Sequence, residues 1–393
     1  MRVSVNGLYE KFSQVIILIY LPITFFIWYF MLGGQGGGAT LILFVAVALF
    51  TVFFYKYQKI DGNFLAFLFF LIYCVFYIVF YYAINGDLID KNGRSLLLYH
   101  TTGIALYCIS YIVGRNFFKI NEKFFIFIFF VMFLRVVYSA DLTLLSIDLS
   151  STSDSLKGLY LGLSDIFCIF SLLLVGSVKG EYKKIIIFII SIIALFILNS
   201  RASLYIYIFS VSIYFIIFLK FRTISFLLLC FSLFLFFYSS KLEMLFSENN
   251  RMFALLALDG KDQSSQERLL LQKNGLNQIS NNLVLGDYGG LVKIYNDMGA
   301  YIHNILSYWQ TYGIIAFFLV VLFLLIQPLK ASFLIYKNKS VYEYHYIFIL
   351  SVYLVLTILF ARSYNWYFSW FIVGIIHQFL YIQRKKPKLI DVI

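Results

Sequence analysis

Long apolar runs constrain this chain more than any other feature of its sequence. About 20 apolar residues are needed to cross roughly 30 Å of hydrocarbon as an α-helix. Twelve runs approach or reach this length, and they cover residues 15–32, 40–55, 63–84, 96–113, 124–140, 158–178, 185–199, 203–219, 223–238, 308–329, 345–361 and 366–382. The pattern predicts an all-α polytopic membrane protein with about twelve transmembrane helices.

The composition excludes an ordinary soluble domain. Hydrophobic residues make up 62% of the 393 residues and charged residues only 13%, which is about half the usual charged fraction of roughly 25%. A soluble protein of this composition would expose large apolar patches, whereas a helical bundle in lipid needs such a surface. Nothing in the composition supports a disordered chain or a nucleic-acid-binding domain.

The distribution of Lys and Arg predicts that both termini face the cytoplasm. With the N-terminus inside, the inner segments hold nineteen of the 31 basic residues and the short outer loops hold five. Short loops rich in Lys and Arg stay on the cytoplasmic side. The net charge of +12 is then mostly a topology signal and does not require an acidic partner.

One outer loop is much longer than the others, and we expect the chemistry to lie there, because connections of this length are usually functional. The predicted units are transmembrane helices one to nine (1–238), a large outer loop (239–302), and helices ten to twelve with a basic cytoplasmic tail (303–393). Within the loop, Ser264 and Glu267 have the spacing of a capping box. They predict an amphipathic helix on the outer membrane face that ends near Ser280.

The sequence contains no motif of a nucleotide-dependent or metal-dependent enzyme. Walker, dinucleotide-binding, H-E-x-x-H, D-x-D and G-x-S-x-G patterns do not occur. A reaction would have to use a substrate that is already activated, or a gradient.

Two arginines on the outer side are candidates for binding phosphate. Arg201 lies at the tip of a short hairpin between two spans, at or just below the outer interface, and its planar guanidinium suits a phosphate. The alternative is an arginine that reaches lipid headgroups. Arg268 follows the capping box, where helix amides and a cation together could hold a phosphate, although it could also be a solvated surface residue. Neighbouring Glu267 is explained by capping, with a catalytic carboxylate as the alternative.

Further candidates follow in the long loop. His303 and Asn304 stand where the loop meets the next span, and a neutral imidazole there could accept a proton or bind a pyrophosphate oxygen. A purely structural histidine is the alternative. Asp287 lies in the Gly286 to Gly290 turn, where glycines permit positive φ or close approach of a ligand. The remaining histidines are interpreted as packing residues, namely His100, His345 and His377.

Three ionisable residues lie in or between the predicted spans. Arg135 and Asp165 fall in the outer thirds of two spans, where they either neutralise each other or line a substrate path. Arg362 lies in a predicted exposed turn, where it either anchors the interface or joins an outer cationic cluster. The cationic candidates all fall on the outer side. This asymmetry predicts an anionic ligand, such as a lipid-linked phosphate, bound at the outer leaflet.

The layout resembles the O-antigen polymerase and O-antigen ligase superfamily, the Wzy-like membrane glycosyltransferases. The matching parts are Asn199-Ser200-Arg201 on an outer hairpin, Glu267-Arg268 opening a loop helix, the Gly286 to Gly290 turn, and His303-Asn304 followed by Gly313-Ile314-Ile315. Together they cover roughly residues 185–330. One departure is Tyr312, where the family often has an acidic residue before the glycine.

The resemblance implies transfer of a lipid-linked glycan at the periplasmic face of a bacterial inner membrane. In the polymerase version, a sugar hydroxyl of one undecaprenyl-pyrophosphate-linked unit attacks the anomeric carbon of the growing chain. By similarity, Arg201 and Arg268 would hold the pyrophosphate and His303 would assist as catalytic residues. Substrate contacts are expected from Arg135, Asn304, Glu267, Asp287 and Arg362. The family also implies no metal or cofactor, with membrane lipids, a chain-length regulator and a flippase as partners.

Two other functions remain open on the sequence. A ligase of the same superfamily would transfer finished polymer to the lipid A core. A flippase for lipid-linked sugars could also have twelve spans and bind pyrophosphate. Transport would favour ionisable groups reachable from both sides and internal symmetry, whereas here the candidates lie on one side.

Overall fold

The computed structural model describes residues 5–32, 60–117, 121–141, 146–147, 159–220 and 263–385, together with Ala46 and Leu49. The span predicted at 223–238 lies outside the described residues. So does the span predicted at 40–55, except for those two residues. The first part of the long loop, 239–262, is also outside them.

The described chain is almost entirely helical. Its helices are α1 (Val5–Leu18), α2 (Thr24–Leu32), α3 (Gly62–Asn85), α4 (Leu96–Arg115), α5 (Glu122–Tyr138), α6 (Leu159–Ser177), α7 (Glu181–Ile197), α8 (Arg201–Phe218), α9 (Gln263–Asn281), α10 (Gly290–Tyr295), α11 (Leu306–Val321), α12 (Gln327–Lys337), α13 (His345–Phe360) and α14 (Phe368–Lys385). Single π-helical turns join α1 to α2 (Ile19–Ile23) and α11 to α12 (Leu322–Ile326), and a short 3-10 helix (Tyr342–Tyr344) precedes α13. Two short strands, β1 (Ala140–Asp141) and β2 (Ser146–Ile147), pair antiparallel.

Seven helical segments within the described residues are long and apolar enough to cross a membrane. They are Phe12–Tyr29, Gly62–Asn85, Leu96–Arg115, Leu159–Ser177, Arg201–Phe218, Leu306–Lys337 and Tyr342–Phe360. Three further predicted spans coincide with the somewhat shorter or more polar helices α5, α7 and α14. The structure therefore confirms a helical polytopic membrane protein, and the count of twelve spans stays a prediction.

Local sequence signals explain where several helices begin. The side chain of Asp61 accepts a hydrogen bond of 2.9 Å from the backbone N–H of Phe64 at the start of α3. Ser95 does the same for Leu98 in α4, at 3.1 Å. Such side-chain acceptors satisfy backbone donors that the first helical turn leaves without a partner. These caps fix the beginnings of α3 and α4, the two helices that flank the loop at 86–95.

Small residues allow the bundle helices to pack closely. A Cβ atom added at Gly114 of α4 would overlap the carbonyl oxygen of Phe371 in α14, and one added at Gly374 would overlap the carbonyl oxygen of Tyr111. Glycine at both positions brings the two helix backbones into contact, as is common in membrane bundles. The α4–α14 crossing therefore forms the centre of the described core.

A break in α11 receives the glycine-rich turn of the long loop. Gly313 has φ +78° inside the helix, which interrupts it. The turn bonds across the break, from Asp287 N–H to the Gln310 carbonyl (2.7 Å) and from Ile314 N–H to the Val284 carbonyl (3.1 Å). Gly286, with φ +72°, has the backbone of α11 directly against its Cα. The close approach predicted at this turn is thus made by protein backbone.

A second contact links the loop between α3 and α4 to the segment that follows α10. Lys91 forms a 2.7 Å ion pair with Asp297, and its backbone N–H donates to the Asn296 carbonyl at 3.0 Å. The loop between α3 and α4 therefore holds the segment that leads towards His303. Both loops were assigned to the same side of the membrane on the sequence, and the structure places them at the same end of the bundle.

Candidate functional site

A cavity of about 480 Å³ lies at the end of the bundle where α6 and α8 begin and α13 ends. It is lined by Tyr160, Leu161, Asn199, Ser200, Arg201, Ala202, Tyr205, Ile206, Phe209, Arg268, Leu356, Phe360 and Ala361. The two arginines predicted to hold phosphate are both in this lining. The remaining lining residues are mostly apolar or aromatic.

The turn between α7 and α8 places Arg201 in the cavity. α7 ends at Ile197 and α8 begins at Arg201 itself, which agrees with the short hairpin predicted from the sequence. Asn199 adopts a left-handed conformation with φ +56°, which Asn tolerates better than most residues. This turn reverses the chain within three residues. Arg201 is only partly exposed, and its partly buried neighbour Tyr205 also lines the cavity.

Arg268 reaches the same cavity from α9, but not in the way the sequence predicted. α9 begins at Gln263, so Arg268 is its sixth residue and lies beyond the first turn. The prediction that Arg268 sits immediately after the helix cap, beside free backbone amides, is therefore wrong. The capping-box prediction also fails in detail, because the helix already includes Ser264. Glu267 is exposed on the surface of α9.

His303 lies close to the cavity, in the segment that precedes α11. Its ring packs against Tyr301, with centroids 4.9 Å apart. Burial, together with the positive charges of Arg268 and Arg362, lowers the pKa of His303 to about 4. The imidazole is therefore neutral near pH 7, as expected, and it can accept a proton or a hydrogen bond.

Asn304, predicted to contact substrate, has a structural role at the start of α11. Its side-chain oxygen accepts a 2.9 Å hydrogen bond from the Leu306 backbone N–H. The Asn304 carbonyl also accepts from the Ser307 hydroxyl at 2.7 Å. Together these bonds fix the beginning of the helix that follows His303.

Asp165 pairs with Arg362, and two predictions are corrected by this contact. Arg362 was expected in an exposed turn, but the whole residue is only 9% exposed. Its guanidinium holds the Asp165 carboxylate in a bidentate pair, with Nε to Oδ2 at 3.0 Å and Nη2 to Oδ1 at 2.8 Å. On the sequence, Asp165 was expected either to pair with Arg135 or to line a substrate path. It selects Arg362 because the packing of α13 on α6 brings the end of α13 directly over it.

Arg135 has a different environment. Its guanidinium lies over the aromatic rings of Tyr29 and Tyr138, 5.2 Å and 5.6 Å from the ring centroids. Cation–π contacts of this kind stabilise a guanidinium group over an aromatic face. The structure thus brings Arg201, Arg268, His303 and Arg362 near one another, and gives Arg135 aromatic neighbours of its own.

Asp287 lines a second, much smaller cavity with His100, Tyr301, Gln310 and Tyr364 among its other lining residues. Burial raises the pKa of the Asp287 carboxyl, and nearby Lys293 opposes that shift. The second cavity is too small for a sugar. Asp287, from which a substrate contact was expected, does not line the arginine-lined cavity.

A buried polar cluster beside this second cavity was not predicted. His100, interpreted on the sequence as a packing residue, hydrogen-bonds through Nε2 to the Tyr364 hydroxyl at 3.0 Å and through Nδ1 to the Tyr312 hydroxyl at 3.2 Å. Tyr312 is the residue that departs from the family pattern. The Tyr312 hydroxyl is hydrogen-bonded to the His100 imidazole, so Tyr312 belongs to the internal hydrogen-bond network of the bundle.

Sequence analysis missed three residues at or beside the cavity, because no recognisable motif surrounds them in the sequence. Ser203, Tyr160 and Tyr205 lie in ordinary apolar helices. The only signal that could have found Tyr205 is its i+4 spacing from Arg201, which places both on one helix face. Within the described ranges, no group of three or more His, Cys, Asp or Glu side chains is arranged to hold a metal ion.

Fold and site together define a class of protein. It is a polytopic helical membrane protein with a cavity that offers two guanidinium groups at one end of apolar walls. Such a cavity suits an amphiphile with an anionic head.

Comparison with known proteins identifies the family that this arrangement resembles. Residues 186–321 match the family model described as O-antigen ligase (Wzy_C). The resemblance to the Wzy-type polymerase and ligase superfamily is thereby confirmed over that stretch, which contains Arg201, Arg268 and His303. The match supports an enzyme of the membrane glycosyltransferase and ligase type. No curated protein matches the chain.

Proposed function

We propose that this protein is an O-antigen polymerase that joins undecaprenyl-pyrophosphate-linked oligosaccharide units at the periplasmic face of the bacterial inner membrane. The observation that carries the proposal is the shared cavity of Arg201 and Arg268. These residues are 67 positions apart in the chain and come from different helices. A guanidinium group binds phosphate oxygens through charge-assisted, often bidentate hydrogen bonds, so two of them in the lining of one cavity suit a pyrophosphate.

The apolar walls support a lipid-linked anion over a soluble one. Phe209 lies eight residues beyond Arg201 on α8, which is about 12 Å deeper at 1.5 Å per residue. Phe209 and Phe360 line the cavity and are also 63% and 72% exposed on the outside of the bundle. The cavity therefore extends to the surface that would face lipid. A polyprenyl chain could lie there while its pyrophosphate meets the arginines.

The proposed reaction uses only groups of the substrate and of this chain. An acceptor sugar hydroxyl attacks the anomeric carbon of the donor, a new C–O bond forms, and the bond to the pyrophosphate breaks. Arg201 and Arg268 stabilise the negative charge that develops on the leaving undecaprenyl pyrophosphate. Neutral His303 accepts the proton of the attacking sugar hydroxyl.

A ligase is the second candidate, because the matching family model is described as O-antigen ligase. Both activities break the same bond of a lipid-linked donor, so the arginine-lined cavity would serve either one. They differ in the acceptor, which is another lipid-linked unit for a polymerase and the lipid A core for a ligase.

The deciding experiment is a gel of lipopolysaccharide from a strain that lacks the gene, complemented with the intact gene, with Arg201→Ala or with Arg268→Ala at equal expression. Lys183→Ala is the control, because Lys183 carries the same charge at the opposite end of α7, pairs with Glu122 and is 61% exposed. We expect the intact gene and the control to restore a ladder and both arginine variants to leave core bearing a single unit.

Other gel patterns would overturn the polymerase. Bare core with polymer accumulating on the periplasmic carrier lipid would identify a ligase. Bare core with single units trapped on the cytoplasmic face would identify a flippase. A full ladder from both arginine variants would show that the cavity is not the donor site.

A further inference from the structure

The Asp165–Arg362 ion pair lies directly against three walls of the arginine-lined cavity. α6 contributes Tyr160 and Leu161 to the lining, and Asp165 lies one helical turn below Leu161. The end of α13 contributes Phe360 and Ala361, which immediately precede Arg362. Each of these walls thus carries one partner of the pair.

The third wall, at the start of α8, joins the pair through Ser203. The Ser203 hydroxyl lies 2.9 Å from Asp165 Oδ1 and 3.0 Å from Arg362 Nη2. It is also 2.8 Å from the hydroxyl of Ser200, the residue before Arg201. Ser200 and Ser203 are 1% and 2% exposed, so water does not compete for these bonds.

The direction of each hydrogen bond in this network follows from the chemistry of the groups. A guanidinium only donates, and an ionised carboxylate only accepts. A serine hydroxyl has one proton to donate, and Ser203 gives it to Asp165. Ser203 therefore accepts from Arg362 and from Ser200, so the Ser200 hydroxyl must be the donor in their contact. The chain of donors runs from Ser200 to Ser203 to Asp165, so both hydroxyl protons are used within the network.

We propose that Asp165, Ser203 and Arg362 are positioning residues that hold the start of α8, and with it Arg201, in register with the other cavity walls. This role rests on the proposed function and goes beyond it, since none of the three needs to touch the substrate. Arg268 comes from α9, outside the network, so the network sets the position of one arginine relative to the other.

The test measures two quantities for purified protein in lipid nanodiscs: the Kd for farnesyl pyrophosphate, used as a short lipid pyrophosphate, and kcat/KM for a lipid-linked oligosaccharide donor. Ser203→Ala keeps the ion pair and cuts its link to α8. The double variant Asp165→Leu with Arg362→Met removes both charges, so no unpaired buried charge is left to unfold the protein. Ser203→Thr restores the hydroxyl.

A second buried ion pair in the same chain provides the matched control. Arg115 pairs with Asp61 at 2.9 Å, and the exposed fractions of the two side chains are 3% and 10%, against 10% and 5% for Arg362 and Asp165. The control variant is Asp61→Asn with Arg115→Met, because Asn can still cap α3. Any loss caused merely by disturbing a buried ion pair should appear in this control too.

We expect Ser203→Ala and the Asp165/Arg362 double variant to weaken farnesyl pyrophosphate binding and to lower kcat/KM by roughly 100-fold, the usual effect of moving a positioned group by about 1 Å. Ser203→Thr should recover most of the loss, and the Asp61/Arg115 control should match the wild type in both measurements. Wild-type values for Ser203→Ala and for the double variant would overturn the inference, as would an equal loss in the control. A wild-type protein that binds the probe but turns over no lipid-linked donor would instead overturn the proposed function.

Discussion

We predict that replacing Gly286 by alanine lowers the free energy of unfolding through two separate contributions. Gly286 has φ +72°, a left-handed conformation that costs a residue with a Cβ atom about 1 to 2 kcal/mol. The new Cβ would also lie 2.6 Å from the Gly313 nitrogen, 2.7 Å from the Trp309 carbonyl oxygen and 2.9 Å from that of Gln310. All three are backbone atoms, which cannot rotate away, and overpacking of this kind costs about 1 to 3 kcal/mol.

The expected loss of unfolding free energy is therefore about 2 to 5 kcal/mol for Gly286→Ala. Gly93 offers a matched control, because it has the same φ of +72° but no atom within 4 Å of an added Cβ. Gly93→Ala should show only the conformational cost of about 1 to 2 kcal/mol. The assay is equilibrium unfolding of both variants in mixed detergent micelles, titrated with a denaturing detergent. Equal destabilisation of the two variants would refute the idea that backbone contact at the α11 break contributes.

Two further predictions concern the site itself. The folded pKa of His303, about 4, lies below its usual value of 6.5, so between these pH values the unfolded state binds more protons and stability rises with pH, by at most about 3 kcal/mol. Unfolding measured from pH 4 to 7 should therefore be steeper in pH for the wild type than for His303→Gln, and parallel curves would contradict the burial of a neutral imidazole. Arg201→Lys keeps the charge but loses the planar fork, so the ladder-forming activity should fall by roughly 10-fold or more, as expected for the loss of a bidentate phosphate contact. A lysine variant as active as the wild type would show that charge alone is enough.

Much of the architecture could be predicted because its causes are local in the sequence. Apolar runs produce spanning helices wherever backbone groups must be satisfied inside lipid. The hairpin at Arg201 followed from two short apolar runs, 185–199 and 203–219, that lie on either side of it. The loop helix α9 was predicted with nearly the right end, near Ser280 against Asn281 in the structure.

The errors in the site arose where the cause is tertiary. Asp165 and Arg362 are 197 residues apart, and no spacing rule links them. Arg135 was the nearer cation in the sequence, yet helix packing gave Asp165 a different partner. A four-residue capping pattern alone did not fix the position of Arg268 in α9, because α9 already includes Gln263 and Ser264.

Through Ser203, the Asp165–Arg362 ion pair links the segment matched by the family model, residues 186–321, to parts of the chain outside it. Ser203 lies within the matched stretch, 186–321, whereas Asp165 precedes it and Arg362 follows it. A fragment cut at the boundaries of the match would leave the Ser203 hydroxyl without either charged partner. The segment that carries the family signature is therefore not self-sufficient. Transplanting it between related proteins should succeed only when the residues corresponding to Asp165 and Arg362 are moved with it.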